Sequence, residues 1–279
     1  MIHCPDSVIW FDDHFIDCDF IDKNIFEEKT TVYEVFRVIN GIPLFLDVHL
    51  QRLNQSLVQI GVHPDAFPIV STLPGVISRL IELADIQSRN IEIALVFSRD
   101  LNLLVHSLVY TIASHYPNEE LYNTGARTMV YFAARENPSA KVKDQPLREA
   151  ADIIIKKRNL FEVVLVDKYG RITEGSRTNI FFVKGDALFT APDRMVLKGI
   201  TREKVFDICH QHGITVNESP IAYDKIESMD AAFLTGTSPK VLPVSALEDT
   251  TYPAHNLLVR SIMAEYDQMI NRCTISFKN

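Results

Sequence analysis

One stretch near the middle of the chain constrains the possible folds more than any other. It contains three apolar runs rich in β-branched and aromatic residues, at Val163–Val166, Ile180–Val183 and Leu188–Phe189. Two turn sequences that contain glycine, K-Y-G at 168–170 and K-G-D at 184–186, interrupt it. Short apolar runs separated by such turns are typical of strands joined by hairpins. The stretch therefore predicts a buried antiparallel meander.

A polar cluster lies between the first two of these apolar runs. Its sequence, T-E-G-S-R-T-N over residues 173–179, places Glu174 among strands that we expect to be buried. A buried carboxylate is costly unless it is paired with a cation or a protonated group. We therefore expect a partner for Glu174, supplied either by the chain or by a ligand. The alternative interpretation is an acid in a hairpin turn, where Ser, Thr and Asn are also common.

The size and charge of the chain argue against several classes of function. With 279 residues, the chain is long enough for one large or two medium domains. Its net charge of -8 argues against nucleic acid as a partner, because phosphate binding relies on clustered Lys and Arg. No apolar run approaches the roughly 20 residues of a membrane span. The cysteines lack the spacing of a zinc site or a disulfide framework, and the first residues do not resemble a signal peptide. We therefore expect a cytoplasmic protein without a metal.

The first part of the chain predicts a sheet and a helix with a polar face. A strand at Val32–Ile39 ends in Asn-Gly, the strongest two-residue hairpin signal. Asp47 follows and can cap a helix that begins near Val48. Polar residues three and four positions apart form one face of that helix, namely His49, Arg52 and Ser56.

The least hydrophobic stretch of the chain follows at residues 114–120. Its proline and its polar residues are typical of a linker between domains. We therefore predict two domains, 1–118 and 119–279.

Two stretches of the second predicted domain provide hydrogen-bond donors for an anion. Gly199-Ile200-Thr201 opens a predicted helix, whose first N–H groups and positive dipole end favour a negative charge. A buried strand at Ala231–Leu234 continues into T-G-T-S at 235–238, a second group of amides and hydroxyls. Taken singly, such a helix start is usually only a cap. The joint occurrence of these features, in this order, makes them informative.

In this order, the motifs resemble those of the fold-type IV pyridoxal-phosphate enzymes. That class IV aminotransferase family contains branched-chain and D-amino-acid aminotransferases and aminodeoxychorismate lyases. The matching motifs are Tyr33-Glu34 with H-L-Q-R-L at 49–53, Lys141, E-G-S-R-T-N at 174–179, L-K-G-I-T-R at 197–202 and T-G-T-S-P-K-V-L-P-V at 235–244. The resemblance implies a two-domain α+β fold. A smaller N-terminal α/β domain would precede a larger C-terminal domain with a β-barrel-like antiparallel core.

By this resemblance, the protein binds pyridoxal 5′-phosphate between a lysine and an acid. Lys141 is the implied catalytic residue, bonded covalently to the cofactor, and Glu174 pairs with the ring nitrogen. The other cofactor-binding candidates are Arg52, Ser176, Arg177, Thr178, Asn179, Gly199, Ile200, Thr201, Gly236, Thr237 and Ser238. Tyr33 matches a tyrosine that lines the active site in some members, and Arg135 is a candidate for binding the substrate carboxylate. Arg135 and Arg177 can equally pair with neighbouring acids.

The sequence around the lysine, N-P-S-A-K-V-K at 137–143, offers two candidates. In a strand, Lys141 and Lys143 point to the same face, so periodicity does not distinguish them. The position of the family's lysine, counted back from Glu162, favours Lys141. The alternative is that both are solvated surface lysines, as most lysines are.

The activity that the resemblance implies is transamination by a homodimer. An amino group would pass from an amino acid, branched-chain-like in its side chain, to a 2-oxo acid such as 2-oxoglutarate. The alternatives are an aminodeoxychorismate lyase, forming 4-aminobenzoate and pyruvate on the same scaffold, and a non-catalytic relative. Two departures from the family leave the substrate open. The R-x-H pair of the D-amino-acid members is missing, and residues 24–29 replace the longer glycine-containing segment of branched-chain members.

Overall fold

The computed structural model describes residues 4–22, 24–63, 69–100 and 103–276, which form two units. The first unit contains the described chain up to His115, the short segment Ala140–Lys143 and the described residues 271–276. The second unit contains Tyr116–Ser139 and Asp144–Ile270. Lys141 therefore belongs to the first unit, whereas Glu174 belongs to the second. The domain limits 1–118 and 119–279 stay a prediction, because they concern parts that fold independently.

The first unit contains a six-stranded antiparallel sheet. Its strands are β1 (Val8–Phe11), β2 (His14–Asp17), β3 (Thr30–Ile39), β4 (Ile42–Pro43), β5 (Ser88–Phe97) and β6 (Leu104–Ile112), in the spatial order β2-β1-β6-β5-β3-β4. The predicted Asn-Gly hairpin is confirmed between β3 and β4, where Asn40 and Gly41 both have positive φ, at 53° and 76°. Such a turn matches the right-handed twist of the strands on either side.

Two helices pack on this sheet, α1 (Leu46–Gln59) and α2 (Ile69–Leu83). Their buried leucines and isoleucines join the apolar side chains of the strands in one core. The predicted cap at Asp47 is wrong, because α1 already begins at Leu46. Phe45 is the N-cap, in the left-handed conformation, and it makes no side-chain capping bond. Asp47 lies in the first turn instead, where its negative charge is favourable near the positive end of the helix dipole.

The second unit contains a nine-stranded sheet. Its strands are β7 (Ala126–Phe132), β8 (Glu162–Val166), β9 (Ile172–Gly175), β10 (Asn179–Lys184), β11 (Ala187–Thr190), β12 (Thr215–Glu218), β13 (Ala231–Gly236), β14 (Lys240–Leu247) and β15 (Thr250–Thr251). The spatial order is β12-β11-β10-β13-β14-β7-β8-β9, with β15 paired to β14. The remaining helices are α3 (Glu119–Thr124), α4 (Gln145–Arg158), α5 (Ile200–His212) and α6 (Leu257–Ser276).

The predicted hairpins are present as the antiparallel pairs β8–β9 and β10–β11. The prediction of one continuous meander is wrong, because β9 and β10 are not neighbours in the sheet. The sheet as a whole is mainly antiparallel, but β7–β8, β7–β14 and β11–β12 are parallel pairs. Parallel neighbours need a crossover connection, and α4 joins β7 to β8 while α5 joins β11 to β12. Strands β8 and β9 are buried along their full length, β8 as its apolar run predicts and β9 although it contains Thr173 and Glu174.

The nine-stranded sheet has to curl, because a short connection joins two strands that are distant in its order. β9 ends at Gly175 and β10 begins at Asn179, yet five positions separate them. In a flat sheet that separation would be about 24 Å. Residues 176–178, the closing segment, reach at most about 14 Å. The sheet therefore bends back on itself like part of a barrel, and the Gly175 amide donates to the Thr178 carbonyl at 2.7 Å.

Among the described helices, none is both long enough and apolar enough to cross a lipid bilayer.

Candidate active site

Glu174 lies beside the closing segment and is almost completely buried. Its Oε1 is 3.0 Å from Nε of Arg135, which is also buried. Its Oε2 accepts hydrogen bonds from the Leu197 amide at 3.2 Å and from Nδ2 of Asn179 at 3.5 Å. The sequence required a partner for this buried carboxylate, and Arg135 is that partner within the chain.

Arg135 makes a second contact in the same place. Its Nη2 donates to the carbonyl oxygen of Ser176 at 2.7 Å, so one guanidinium contacts both Glu174 and the closing segment. The sequence left open whether Arg135 pairs with a neighbouring acid or binds a substrate carboxylate, and the structure contains the pairing with an acid. Contact between Arg135 and a substrate carboxylate stays a prediction.

The polar groups of the closing segment are directed at another buried acid, Glu162. Its two carboxylate oxygens accept from the Ser176 and Thr178 hydroxyls and from the Arg177 amide. The Arg177 guanidinium lies at the surface, where it pairs with Asp152 of α4. These three predicted cofactor positions therefore have partners within the protein, and their contact with a cofactor stays a prediction.

Asn179 connects Glu174 to the start of helix α5. Its Nδ2 donates to the Leu197 carbonyl at 2.8 Å as well as to Glu174. Its side-chain oxygen fills the space that a Cβ at position 199 would occupy, which accounts for Gly199. The prediction that Gly199 opens a helix is confirmed, and Gly213 ends that helix in the left-handed conformation.

The start of α5 has the properties predicted for an anion site. Gly199 is the N-cap, and no side chain caps the helix there. The first amides carry the positive end of the helix dipole. The hydroxyl of Thr201 is buried, 3.2 Å from the Tyr266 hydroxyl. A phosphate contact at Gly199, Ile200 and Thr201 is a prediction that this geometry permits.

The other segment predicted to bind the phosphate is the turn between β13 and β14. Gly236 ends β13, and Thr237 and Ser238 lie in the turn. Thr235 pairs with Asn179 in the sheet register. Its hydroxyl is buried and has no hydrogen-bond partner among the described residues. Buried hydroxyls are normally bonded, so this one is consistent with a ligand that the protein binds.

The first unit brings Lys141 next to Tyr33. The Tyr33 amide donates to the Lys141 carbonyl at 3.0 Å, beside a β-bridge between Val32 and Val142. The Lys141 amide donates to the Ser56 hydroxyl of α1 at 3.1 Å. The Lys141 ammonium lies 4.7 Å from the centre of the Tyr33 ring. Both residues were predicted site positions, and the fold makes them neighbours.

Lys143, the second candidate lysine, forms an ion pair with Glu92 of β5. The same carboxylate oxygen of Glu92 accepts a hydrogen bond from the Tyr110 hydroxyl at 2.6 Å. The ammonium of Lys143 is thus paired with a buried acid. This partner was not visible in the sequence, because Glu92 is distant along the chain.

Arg52 is paired with a buried acid of β3, Glu34. Arg52 Nε donates to one oxygen at 2.9 Å, and His49 Nδ1 lies 3.1 Å from the other. Burial alone would raise the pKa of Glu34, but the charge of Arg52 and the bond to His49 hold that pKa well below its usual range. Burial, aided by the charges of Arg52 and Lys141, lowers the pKa of His49 against the effect of Glu34. The phosphate contact of Arg52 stays a prediction.

Comparison with known proteins identifies the family. The family model described as "Amino-transferase class IV" matches residues 31–247, well over half of the chain. The chain belongs to the class IV aminotransferases. This class IV aminotransferase is 28% identical over 235 residues to the D-alanine aminotransferase of Bacillus licheniformis, covering 79% of this chain and 80% of that one. It is 33% identical over 87 residues to the branched-chain-amino-acid aminotransferase of Pseudomonas aeruginosa, covering 31% and 28% of the two chains.

A solved structure with the same fold is the branched-chain aminotransferase of the archaeon Thermoproteus uzoniensis with norvaline. The TM-score is 0.79 at 21% identity, and the match covers 94% of this chain and 94% of that one. The likeness confirms the predicted α+β class, with an α/β first part and a curled, barrel-like sheet in the second part of this class IV aminotransferase.

Two acids named in the sequence motifs, Glu34 and Glu162, bond to predicted site residues, a role that the motifs did not predict. Glu34 lies in the apolar run of β3, and Glu162 begins the apolar run of β8. A single acid in a strand that is otherwise apolar is the signal that could have identified both, because such an acid needs a buried partner. The partners themselves come from other elements, so the sequence does not name them.

Proposed function

We propose that the protein is a pyridoxal-phosphate-dependent aminotransferase. Its donor would be an amino acid with a branched-chain-like side chain, and its acceptor a 2-oxo acid such as 2-oxoglutarate. One observation carries the proposal: Asn179 and Leu197 join the buried carboxylate of Glu174 to the uncapped start of α5. This cofactor needs an acid at its ring nitrogen and hydrogen-bond donors, such as a helix start provides, at its phosphate. Membership of the class IV family supports the same reaction class.

The donor groups of the second unit fit pyridoxal phosphate. Glu174 would contact the ring nitrogen, and the amides of Gly199 and Ile200 would contact the phosphate. Hydroxyls are available nearby, including that of Thr235, which is buried and otherwise unpaired among the described residues. The remaining proposed phosphate contacts are Arg52, Thr201, Gly236, Thr237 and Ser238. When bound, the cofactor supplies an electron sink for the charge left at the substrate Cα.

Three residues of the chain would have separate roles in the reaction. Lys141 would hold the cofactor by a covalent bond until the substrate amine takes its place. The lysine amine released in that exchange would then move the proton released at the substrate Cα. Arg135 would keep Glu174 ionised, because a positive charge beside a carboxylate favours the charged form. The Tyr33 ring beside the Lys141 side chain would shield it from water. The ion pair between Lys143 and Glu92 supports Lys141 as the reactive amine.

The identity of the amino-acid donor is also part of the proposal. One relative is named a branched-chain enzyme and another a D-alanine enzyme. We propose a donor with a branched-chain-like side chain. A screen of amino acids as donors, with both enantiomers of each, tests this choice.

We also propose a homodimer in the cytoplasm. Support for the dimer is the resemblance to the family. Support for a reducing compartment is that all four cysteines are free thiols, namely Cys4, Cys18, Cys209 and Cys273. Cell fractionation with a tagged protein tests the location.

The variants Lys141→Ala and Lys143→Ala test the proposal. Each is incubated with pyridoxal phosphate, reduced with borohydride and digested, and the modified peptide is identified by mass spectrometry. We expect the wild type and Lys143→Ala to be labelled at Lys141 and to transfer the amino group to 2-oxoglutarate. We expect Lys141→Ala to do neither.

Three outcomes would contradict the proposal. Labelling at Lys143 would reverse the assignment of the lysine. Release of pyruvate from aminodeoxychorismate, without an acceptor, would favour the lyase. A protein that stays colourless with added cofactor would favour a non-catalytic relative.

A further inference from the structure

The buried carboxylate of Glu162 accepts four hydrogen bonds. It begins β8, and only 3% of its surface is exposed. Its Oε1 accepts from the Val163 amide at 2.9 Å and from the Ser176 hydroxyl at 2.6 Å. Its Oε2 accepts from the Arg177 amide at 3.1 Å and from the Thr178 hydroxyl at 3.0 Å. None of these donors is a cation.

Three of the four donors belong to consecutive residues of the closing segment. The segment also has backbone bonds at both edges: the Ser176 amide donates to the Val163 carbonyl, and the Gly175 amide donates to the Thr178 carbonyl. A Cβ at Gly175 would overlap the Thr178 hydroxyl and approach Glu162 to 3.0 Å. The closing segment is therefore folded tightly around one carboxylate.

Two residues proposed to face the cofactor, Glu174 and Asn179, flank this tight turn. Glu174 precedes Gly175, and Asn179 follows Thr178. The conformation of the closing segment therefore sets the positions of Glu174 and Asn179 relative to each other. We propose that Glu162 is a positioning residue, which holds the closing segment so that Glu174 and Asn179 are directed at the cofactor. The inference rests on the proposed function.

On this view, Ser176 and Thr178 act through Glu162. Their hydroxyls are bonded to its carboxylate, so they determine the shape of the turn. The same holds for the Arg177 amide, whereas the Arg177 side chain pairs with Asp152 at the surface.

The variant Glu162→Gln gives a sharp test, because the side chain keeps its shape. Each carboxylate oxygen accepts one backbone N–H, from Val163 or from Arg177, and a backbone N–H cannot become an acceptor. A glutamine places its NH2 group opposite one of these amides in either orientation. One buried amide then loses its partner. We expect the dissociation constant for pyridoxal phosphate, titrated into the apoprotein, to rise roughly tenfold or more.

A double-mutant cycle distinguishes positioning from general damage. If Glu162 acts through Glu174, the double variant Glu162→Gln/Glu174→Gln should bind the cofactor no more weakly than Glu174→Gln alone. The pH dependence of the bound-cofactor absorbance should shift in Glu162→Gln in the same direction as in Glu174→Gln. Asp152→Asn is the matched control. It disturbs only the surface partner of Arg177, so its cofactor affinity should equal that of the wild type.

Two results would overturn the inference. One is wild-type cofactor affinity in Glu162→Gln, and the other is an affinity loss in the double variant equal to the product of the two single losses. If Glu162→Gln does not fold, Thr178→Val replaces it in the same cycle, since it removes one hydroxyl donor with little change of shape. Failure of the proposed function gives a different result, because the wild-type protein itself would not bind pyridoxal phosphate.

Discussion

At the scale of single residues, the buried charge of Glu34 leads to a prediction about stability. Its carboxylate is the partner of Arg52, and both side chains are buried. Removing one member of a buried ion pair leaves the other charge unpaired in a poorly solvated place, at a cost of about 3–5 kcal/mol. We therefore expect Glu34→Gln to lower the free energy of unfolding at pH 7 by about that amount. Urea denaturation followed by circular dichroism measures it.

The control for this variant is Glu28→Gln, which makes the same chemical change in an exposed pair with Arg99. Exposed pairs contribute little, so the unfolding curve should match that of the wild type. An equal loss of stability in both variants would contradict the role of Glu34.

The pH dependence of stability follows from the lowered pKa of Glu34. A carboxyl whose pKa is lower in the folded state stabilises the protein above its unfolded pKa, about 4.3 for Glu. That contribution is lost as the pH falls through the folded value. The part of the stability difference between the wild type and Glu34→Gln that this carboxyl contributes should therefore shrink below about pH 4. Denaturation at several pH values shows whether it does.

At the scale of elements, the start of α5 depends on a close approach between Gly199 and Asn179. A methyl group at position 199 would overlap the Asn179 side-chain oxygen and would displace the groups that bond Glu174. We expect Gly199→Ala to weaken pyridoxal phosphate binding by roughly tenfold or more, while α5 itself stays folded. Absorbance titration of the apoprotein measures the affinity, and circular dichroism reports the helix content.

Gly75, inside α2, provides the comparison. A Cβ there meets nothing within 4 Å, and its backbone is helical. Replacing glycine by alanine in a helix stabilises it by roughly 0.5–1 kcal/mol. Gly75→Ala should therefore raise the free energy of unfolding slightly and leave cofactor affinity unchanged. Normal cofactor affinity in Gly199→Ala would show that this close approach is not needed.

At the scale of the whole molecule, the proposed homodimer can be measured directly. We expect light scattering coupled to size-exclusion chromatography to give twice the mass of the chain at micromolar concentration. Because oligomerisation is linked to stability by mass action, the midpoint of thermal unfolding should also rise with protein concentration. A mass of one chain, together with an unfolding midpoint that does not depend on concentration, would contradict the dimer.

Some elements of the whole fold could be predicted from the sequence, and others could not. The Asn-Gly hairpin, the start of α5 at Gly199 and the two hairpins β8–β9 and β10–β11 follow from local patterns, and the structure contains them. The predicted start of α1 was wrong by two residues. The helix begins at Leu46, and its N-cap is Phe45 in the left-handed conformation, not Asp47. Local propensity does not reveal such a turn, which depends on the direction in which the chain leaves β4.

The sequence by itself determined the family, the α+β class and the residue types that a phosphate-bearing cofactor needs, because these follow from short motifs and their order. Tertiary structure alone decided the partners. It paired Arg135 with Glu174, Arg52 with Glu34 and Lys143 with Glu92. Buried charges choose partners by distance in space, and residues far apart along the chain become neighbours only when the sheets form.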